Sequence, residues 1–200
     1  MDTDKTAKES AGTPSWGKSV ILYLHDLFFL MSLMLVIFLL VFRLIIVKGD
    51  SMKMTLLDGD YLLLLSNMFY NEPSEGDIVV ISKKSFDNGS PIVKRIIATE
   101  GQTVDIDFEQ GIVYVDGMAL KEDYINNLTQ TEEGLRFPVT VDENCVFVLG
   151  DNRRVSKDSR SPEIGLIDER EILGKAIFLL WPGNDEGEEI RDNGRIGVIK

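Results

Sequence analysis

The sequence predicts a mostly β protein, with one N-terminal transmembrane helix followed by a β-rich sandwich or partly open barrel. Three observations lead there. Residues 20–42 are apolar except for His25, Asp26 and Ser32. Beyond residue 48 the chain changes to short β-type runs. Those runs are broken by Asp58-Gly59, Glu75-Gly76, Asn88-Gly89, Asp116-Gly117 and Pro182-Gly183, dipeptides with turn chemistry.

The elements follow in order. Residues 1–19 are polar, with Gly12, Pro14 and Gly17, and are expected to form a flexible tail. The anchor is expected over 20–47. As a helix, its 20–42 portion alone spans about 34 Å, enough for a hydrocarbon core of roughly 30 Å. Arg43 is expected to snorkel to the interface while Leu44 to Val47 continue the apolar run. The run is too long for the core of a cleavable signal peptide, and no small-residue cleavage site follows Val47. His25 and Asp26 are expected at headgroup depth. Lysines and arginines balance on the two sides of the span, so charge alone does not orient it.

A β-rich domain is expected over 48–182, with strands at 61–65, 77–82, 92–98, 103–108, 112–115, 146–149 and 175–180, and a short helix at 168–173. The run Tyr61 to Leu65 does not alternate and is expected to be buried on both faces. Residues 122–138 form a polar excursion. Residues 183–200 are expected to be a polar, solvated tail.

Composition excludes several kinds of chemistry. The net charge is −12, and an acidic chain is a poor partner for a phosphate backbone, so no nucleic acid is expected. One cysteine, Cys145, allows neither an intrachain disulfide nor a cysteine zinc cage, and it is expected to be a buried strand residue. The one histidine, His25, lies in the apolar run. A Ser-His-Asp triad, a Cys-His pair and an H-E-x-x-H metal site each need an imidazole at a watered site, so all three are excluded. Gly150-Asp151-Asn152 does not open an EF-hand, because Ser156 stands where that loop needs glycine. No cofactor and no metal are expected, and proton chemistry falls to Lys, Asp, Glu or Tyr.

Lys94 is the best candidate for a neutral amine. Strand alternation puts it on one face with Ile92 and Ile96, and desolvation lowers a lysine pKa from about 10.4. Arg95, a neighbouring like charge, pushes the same way. The alternative is a strand lysine that faces water. Ser51 lies in a Gly/Asp-led turn, where a serine is otherwise a cap or turn residue.

Four segments stand together: Gly49 to Leu56, Gly76 to Val80, Ile92 to Ile97 and Gly150 to Arg160. In this order they resemble bacterial signal peptidase I, the membrane-bound leader peptidase family. Ser51-Met52-Lys53-Met54-Thr55-Leu56 is similar to the family's S-M-x-P-T-L box, and Gly76-Asp77-Ile78-Val79 to its G-D-x-V box. Lys94-Arg95 is similar to its K-R box, and Gly150 to Arg160 matches G-D-N-R-x-x-S-x-D-S-R at every fixed position. The single anchor is similar to the Gram-positive form.

The resemblance implies a membrane-anchored serine endopeptidase with Ser51 as nucleophile and Lys94 as general base. It implies that Ser156 orients the lysine amine and that Arg95 with Asp151, and Asp158 with Arg160, form structural ion pairs. The Ser51 N–H would serve as an oxyanion donor. Implied partners are preproteins carrying signal peptides, the bilayer and the secretion translocon, with the tail in the cytoplasm and the domain outside. Three departures stand out. Met54 replaces the family's proline, Ala98 a common glycine, and four residues instead of two separate Arg160 from Gly165. Other readings are a self-cleaving repressor-type Ser-Lys protease, against which the anchor argues, and a catalytically weak tethered scaffold. A sortase is excluded because Cys145 has no histidine partner in the domain.

Overall fold

The computed structural model describes residues 16–184 and 192–199. The expected tail over 1–19 lies outside the described residues up to residue 15, as does 185–191 of the expected C-terminal tail.

The first unit, which ends at Leu39, holds all but the last two residues of helix α1 (Trp16–Val41). Its residues are mostly long-chain and aromatic apolar types with no proline, none is buried, and the helix is long and apolar enough to cross a membrane. Residues 16–19, expected in the tail, are its first turn. The His25 ring contacts Asp26 at 3.2 Å, and both side chains are exposed.

The second unit is strand-rich, as the turn-punctuated sequence predicts. Its strands are β1 (Phe42–Ile46), β2 (Tyr61–Ser66), β3 (Ile78–Ile81), β4 (Ile92–Thr99), β5 (Thr103–Asp107), β6 (Ile112–Val115), β7 (Met118–Ala119), β8 (Val139–Thr140), β9 (Cys145–Leu149), β10 (Ile167–Asp168), β11 (Ile172–Trp181) and β12 (Gly197–Val198). An eight-stranded antiparallel sheet runs β1-β2-β11-β3-β4-β9-β10, with β12 on β11. A four-stranded sheet runs β7-β6-β5-β8.

The apolar run expected to be one anchor through Val47 divides at residue 42. Phe42 to Ile46 pair with Leu65 to Tyr61 of β2, because β-branched isoleucines suit a pleated, half-buried surface. Arg43, expected beside the end of the span, lies in β1, where its guanidinium donates to the Leu173 carbonyl and Asn67 Oδ1. The leucine run of β2 alternates after all. Leu62 and Leu64 are fully buried, whereas Leu63 and Leu65 are half-covered and Tyr61 is exposed. Strand pleating sends alternate side chains to opposite faces, whatever their identity. The expected helix at 168–173 contracts to one 3₁₀ turn, Glu169–Glu171, capped by Asp168.

Residues 192–199 correct the expectation of a solvated tail. A 3₁₀ turn at Asn193–Arg195 leads into β12, whose Gly197 and Val198 pair with Leu179 and Phe178. Ile199 packs on the core. Cys145 is half-buried at the start of β9, not fully buried, and partial burial pushes its thiol pKa up.

Three apolar clusters hold the unit. One gathers Val47, Met52 and Leu56 with Leu62, Leu64, Ile78, Val80, Val93 and Leu179, so the turn carrying Ser51 is anchored on both flanks, by Val47 before it and by Met52 and Leu56 after it. A second joins Ile97, Phe147 and Leu149 of the large sheet to Val104, Ile106, Val113 and Val115 of the small one. Ala98 is fully buried there, beside a register shift between β4 and β9. The third includes Val79, Ile96, Val148 and Ile164. Ile164 belongs to the four-residue stretch after Arg160. That stretch closes on itself through the Ser161 carbonyl, which accepts from Ile164 N and Gly165 N at 3.0 and 2.8 Å.

Candidate active site

Lys94 sits in the middle of β4, which is paired with β3 on one side and β9 on the other. It is only 3% exposed. Its Nζ lies 2.8 Å from Ser51 Oγ and 2.9 Å from the Val93 carbonyl oxygen. Burial pulls its pKa from 10.5 down to about 8, against the upward pull of Asp158, Asp151 and Glu133. The like charge that assists burial is Arg160. Arg95, expected in that role, is bound to Asp151.

Ser51 comes from a loop, not a strand. The stem of that loop is closed by Val47 N to the Asp60 carbonyl at 2.8 Å and by Gly59 N to the Val47 carbonyl at 2.9 Å. Met54 takes φ +94°, a conformation closed to proline, whose ring fixes φ near −65°. The methionine that replaces the family's proline therefore accompanies a different backbone path through the turn. Thr55 Oγ1 donates to Asp151 Oδ2, and Asn152 N donates to the Ser51 carbonyl at 3.0 Å.

Behind these two residues lies a buried polar layer. Arg95 binds Asp151 through two parallel bonds of 2.9 and 2.8 Å and donates to the Gly76 carbonyl at 2.9 Å. Gly76 N in turn donates to the Ile96 carbonyl, so the 76–79 segment fixes Arg95 from the neighbouring strand. Arg160 binds Asp158 with bonds of 2.8 and 2.9 Å. Asp158 also accepts from Gly150 N. Asp151, Asp158 and Arg160 are fully buried, and paired bidentate bonding is what makes such burial tolerable. A Cβ at Gly150 would stand 2.1 Å from Ser156 Oγ and 2.6 Å from the Ser51 carbonyl oxygen, so only glycine lets these segments meet.

Ser156 does not make the hydrogen bond to Lys94 that was expected of it. Its Oγ is buried without a hydrogen-bond partner among the described residues, and Lys94 Nζ donates to the Val93 carbonyl. The sequence reading missed four contributors, three of them from the polar excursion 122–138. Tyr124 lies under the Arg95 guanidinium, 4.0 Å from ring centroid to Cζ. Glu122 and Thr129 hold the fully buried Arg153, which also donates to the Gly150 carbonyl at 3.0 Å. The fixed arginine in the G-D-N-R segment was the available signal for Arg153; its partners had none.

A cavity of about 810 Å³ opens in front of Ser51 and Lys94. Leu44, Ile45, Val47, Tyr61 and Ile92 supply much of its apolar wall. Among the described residues there is no cluster of side chains able to hold a metal. The geometry thus puts a hydroxyl and a desolvated amine within proton-transfer reach at the edge of an apolar groove.

The family model described as signal peptidase, peptidase S26, matches residues 20–181. The chain is 34% identical over 193 residues to signal peptidase I T of Bacillus subtilis (strain 168), covering 92% of this chain and 94% of that one. It is 36% identical over 150 residues to the probable signal peptidase I-1 of Synechocystis, covering 71% and 72%. A crystal structure of a signal peptidase I from Enterococcus faecalis V583 aligns with a TM-score of 0.43 at 31% identity, over 52% of this chain and 97% of that one. With a family match across most of its length, the chain belongs to the signal peptidases of family S26.

Proposed function

We propose that this signal peptidase is a membrane-anchored enzyme that cleaves preproteins with Ser51 as nucleophile and Lys94 as general base. The observation that carries this reading is the 2.8 Å separation of Lys94 Nζ and Ser51 Oγ, with the amine buried and its pKa lowered to about 8. As an ammonium, Lys94 donates to Ser51 Oγ. As a neutral amine it accepts the hydroxyl proton along the same line while the oxygen attacks the scissile carbonyl. The same proton then goes to the leaving amine. The Ser51 N–H serves the developing oxyanion, without help from residue 49, which is a glycine. A neutral amine keeps two N–H donors. One goes to the Val93 carbonyl, and Ser156 Oγ, with no other partner among the described residues, is the acceptor for the second.

Arg95 with Asp151 and Arg160 with Asp158 act as supports, holding the turn of Ser51 and the segment of Ser156. The apolar wall suits an extended substrate strand with small residues beside the cleaved bond, paired to backbone in the manner of β-augmentation. Helix α1 is the anchor, with the N-terminus cytoplasmic and the strand-rich unit outside, where a preprotein emerges from the translocon. The test is cleavage of a purified preprotein by the full chain in detergent. Ser51→Ala and Lys94→Ala each abolish cleavage while the far-ultraviolet circular dichroism stays that of the wild type. Wild-type turnover by either variant ends the dyad assignment.

A further inference from the structure

The loop that carries Ser51 is tied down at a point far from β4. Asp60, at its stem, is fully buried. Its carboxylate accepts from Leu57 N at 2.8 Å, from Gly183 N at 2.6 Å, and from Nη1 and Nη2 of Arg195 at 3.0 and 2.6 Å. Arg195 Nη2 also reaches the Thr55 carbonyl at 3.3 Å. Thr55 is four residues from Ser51 and next to Met54, the residue at φ +94°. Its hydroxyl is bound to Asp151. Thr55 therefore links two clamps: Arg95–Asp151 on its side chain and Arg195–Asp60 on its backbone.

Arg195 is set by its own segment. Asp192 Oδ1 accepts from Gly194 N at 2.9 Å to cap the turn, and β12 follows on β11. The side chain is 20% exposed against 0% for Asp60, so the pair is largely out of water, where a planar fork binds a carboxylate and still has a donor to spare.

We infer that Arg195 is a positioning residue: by gripping Asp60 and the Thr55 carbonyl together, it holds the 47–60 loop so that Ser51 Oγ stays in register with Lys94. The inference rests on the reading of Ser51 as nucleophile. The loop has a strained backbone at Met54 and gets its direction from hydrogen bonds at its stem and at Thr55. A misplacement of about 1 Å between reacting groups costs up to a hundredfold in rate. Losing Arg195 should therefore lower kcat while leaving KM alone, because it lines no part of the cavity beside Lys94.

The test uses the full chain, a preprotein substrate and two variants. Arg195→Lys keeps a cation opposite Asp60 but cannot fork to the Thr55 carbonyl. The double variant Arg195→Met, Asp60→Asn removes both charges, so no buried carboxylate is stranded. The folded fraction is fixed by circular dichroism at the assay temperature. Both variants are expected to show kcat lowered about tenfold per folded molecule, KM within twofold of wild type, and an unshifted pH midpoint, since Lys94 is untouched. Wild-type kcat in either folded variant overturns the inference. Ser51→Ala is run alongside. If it is inactive while the Arg195 variants are fully active, the inference fails and the dyad stands. If Ser51→Ala cleaves, the dyad reading itself fails.

Discussion

The two halves of the proposed dyad are held in opposite ways. Lys94 sits on a central strand with a neighbour on each side, and the sheet ladder alone fixes where its side chain begins. Ser51 sits in a loop whose direction depends on Met52 and Leu56 in the core, on the Thr55–Asp151 contact and on the Val47–Asp60 stem. A base on a ladder can lose a neighbour and keep its place. A nucleophile on a loop needs each of its ties, so damage to the polar layer should show first at Ser51.

The largest effect expected is at the base. Lys94→Arg puts a group that does not deprotonate where an amine must, and cleavage should fall by about 10³-fold or more at every pH up to 10. In the wild type, kcat/KM should rise with pH through about 8, the value to which burial lowers Lys94. The same shift has a stability consequence. The folded pKa lies below the ordinary 10.5, so the unfolded chain binds more protons between about pH 8 and 10.5. The contribution of this group to stability therefore improves as pH rises through that window and is least favourable below it. Thermal melts of the wild type and Lys94→Met against pH check the sign; a wild-type rate profile flat from pH 6 to 10 would remove lysine from the role.

Next comes the tie on the loop. Asp151→Asn strands the buried Arg95 and loosens Thr55, and should cost about 3–5 kcal/mol in denaturant unfolding together with most of the activity. Ser156→Ala separates the two regions more finely. Its hydroxyl has no partner among the described residues, so Tm should hold or rise slightly, yet kcat should fall roughly 10- to 100-fold if the neutral amine needs that acceptor. An unchanged kcat would make Ser156 a packing residue only.

Two smaller effects complete the series. Glu133 lies within charge reach of Lys94 and raises its pKa, so Glu133→Gln should move the midpoint of the pH–rate profile downward; a midpoint that rises contradicts the electrostatics. Met54→Gly should relieve the left-handed backbone at φ +94° and stabilise the unit by about 1 kcal/mol, read by chemical denaturation. Met54→Pro should do the reverse, although proline is the residue the family box carries.

Much of this arrangement was legible in the chain. Turn dipeptides and β-branched runs located the long strands to within a few residues, because both signals are local. The eleven-residue segment ending at Arg160 carried its own contacts, since Asp158 and Arg160 are two residues apart and bind each other. What was not legible depends on distant pairing. Nothing local says that Phe42 to Ile46 leave the apolar run to become a strand, because the reason is Leu62 and Leu64 across the ladder. Nothing in residues 122–138 says that Tyr124 will stack on Arg95, and nothing near Arg195 points to Asp60, 135 positions earlier. The pKa of Lys94 was expected to fall for two reasons, of which burial is the leading one here; the assisting charge comes from Arg160, not from the adjacent Arg95.

The sheet order also bears on the timing of activity during synthesis. Strand β2 finds its second partner only in β11, more than 100 residues later in the chain, and β3 waits for the same strand. At a ribosomal rate of about 5–20 residues per second, the segment carrying Ser51 is exposed for roughly 5–20 s before that partner exists. Until then the hydroxyl and the amine of the proposed dyad have no common frame, and on that reading a nascent chain is inert as a protease. The interval also leaves the leucines of β2 uncovered. Because long-range strand pairing is slow to form, chaperone dependence and aggregation should concentrate in this window.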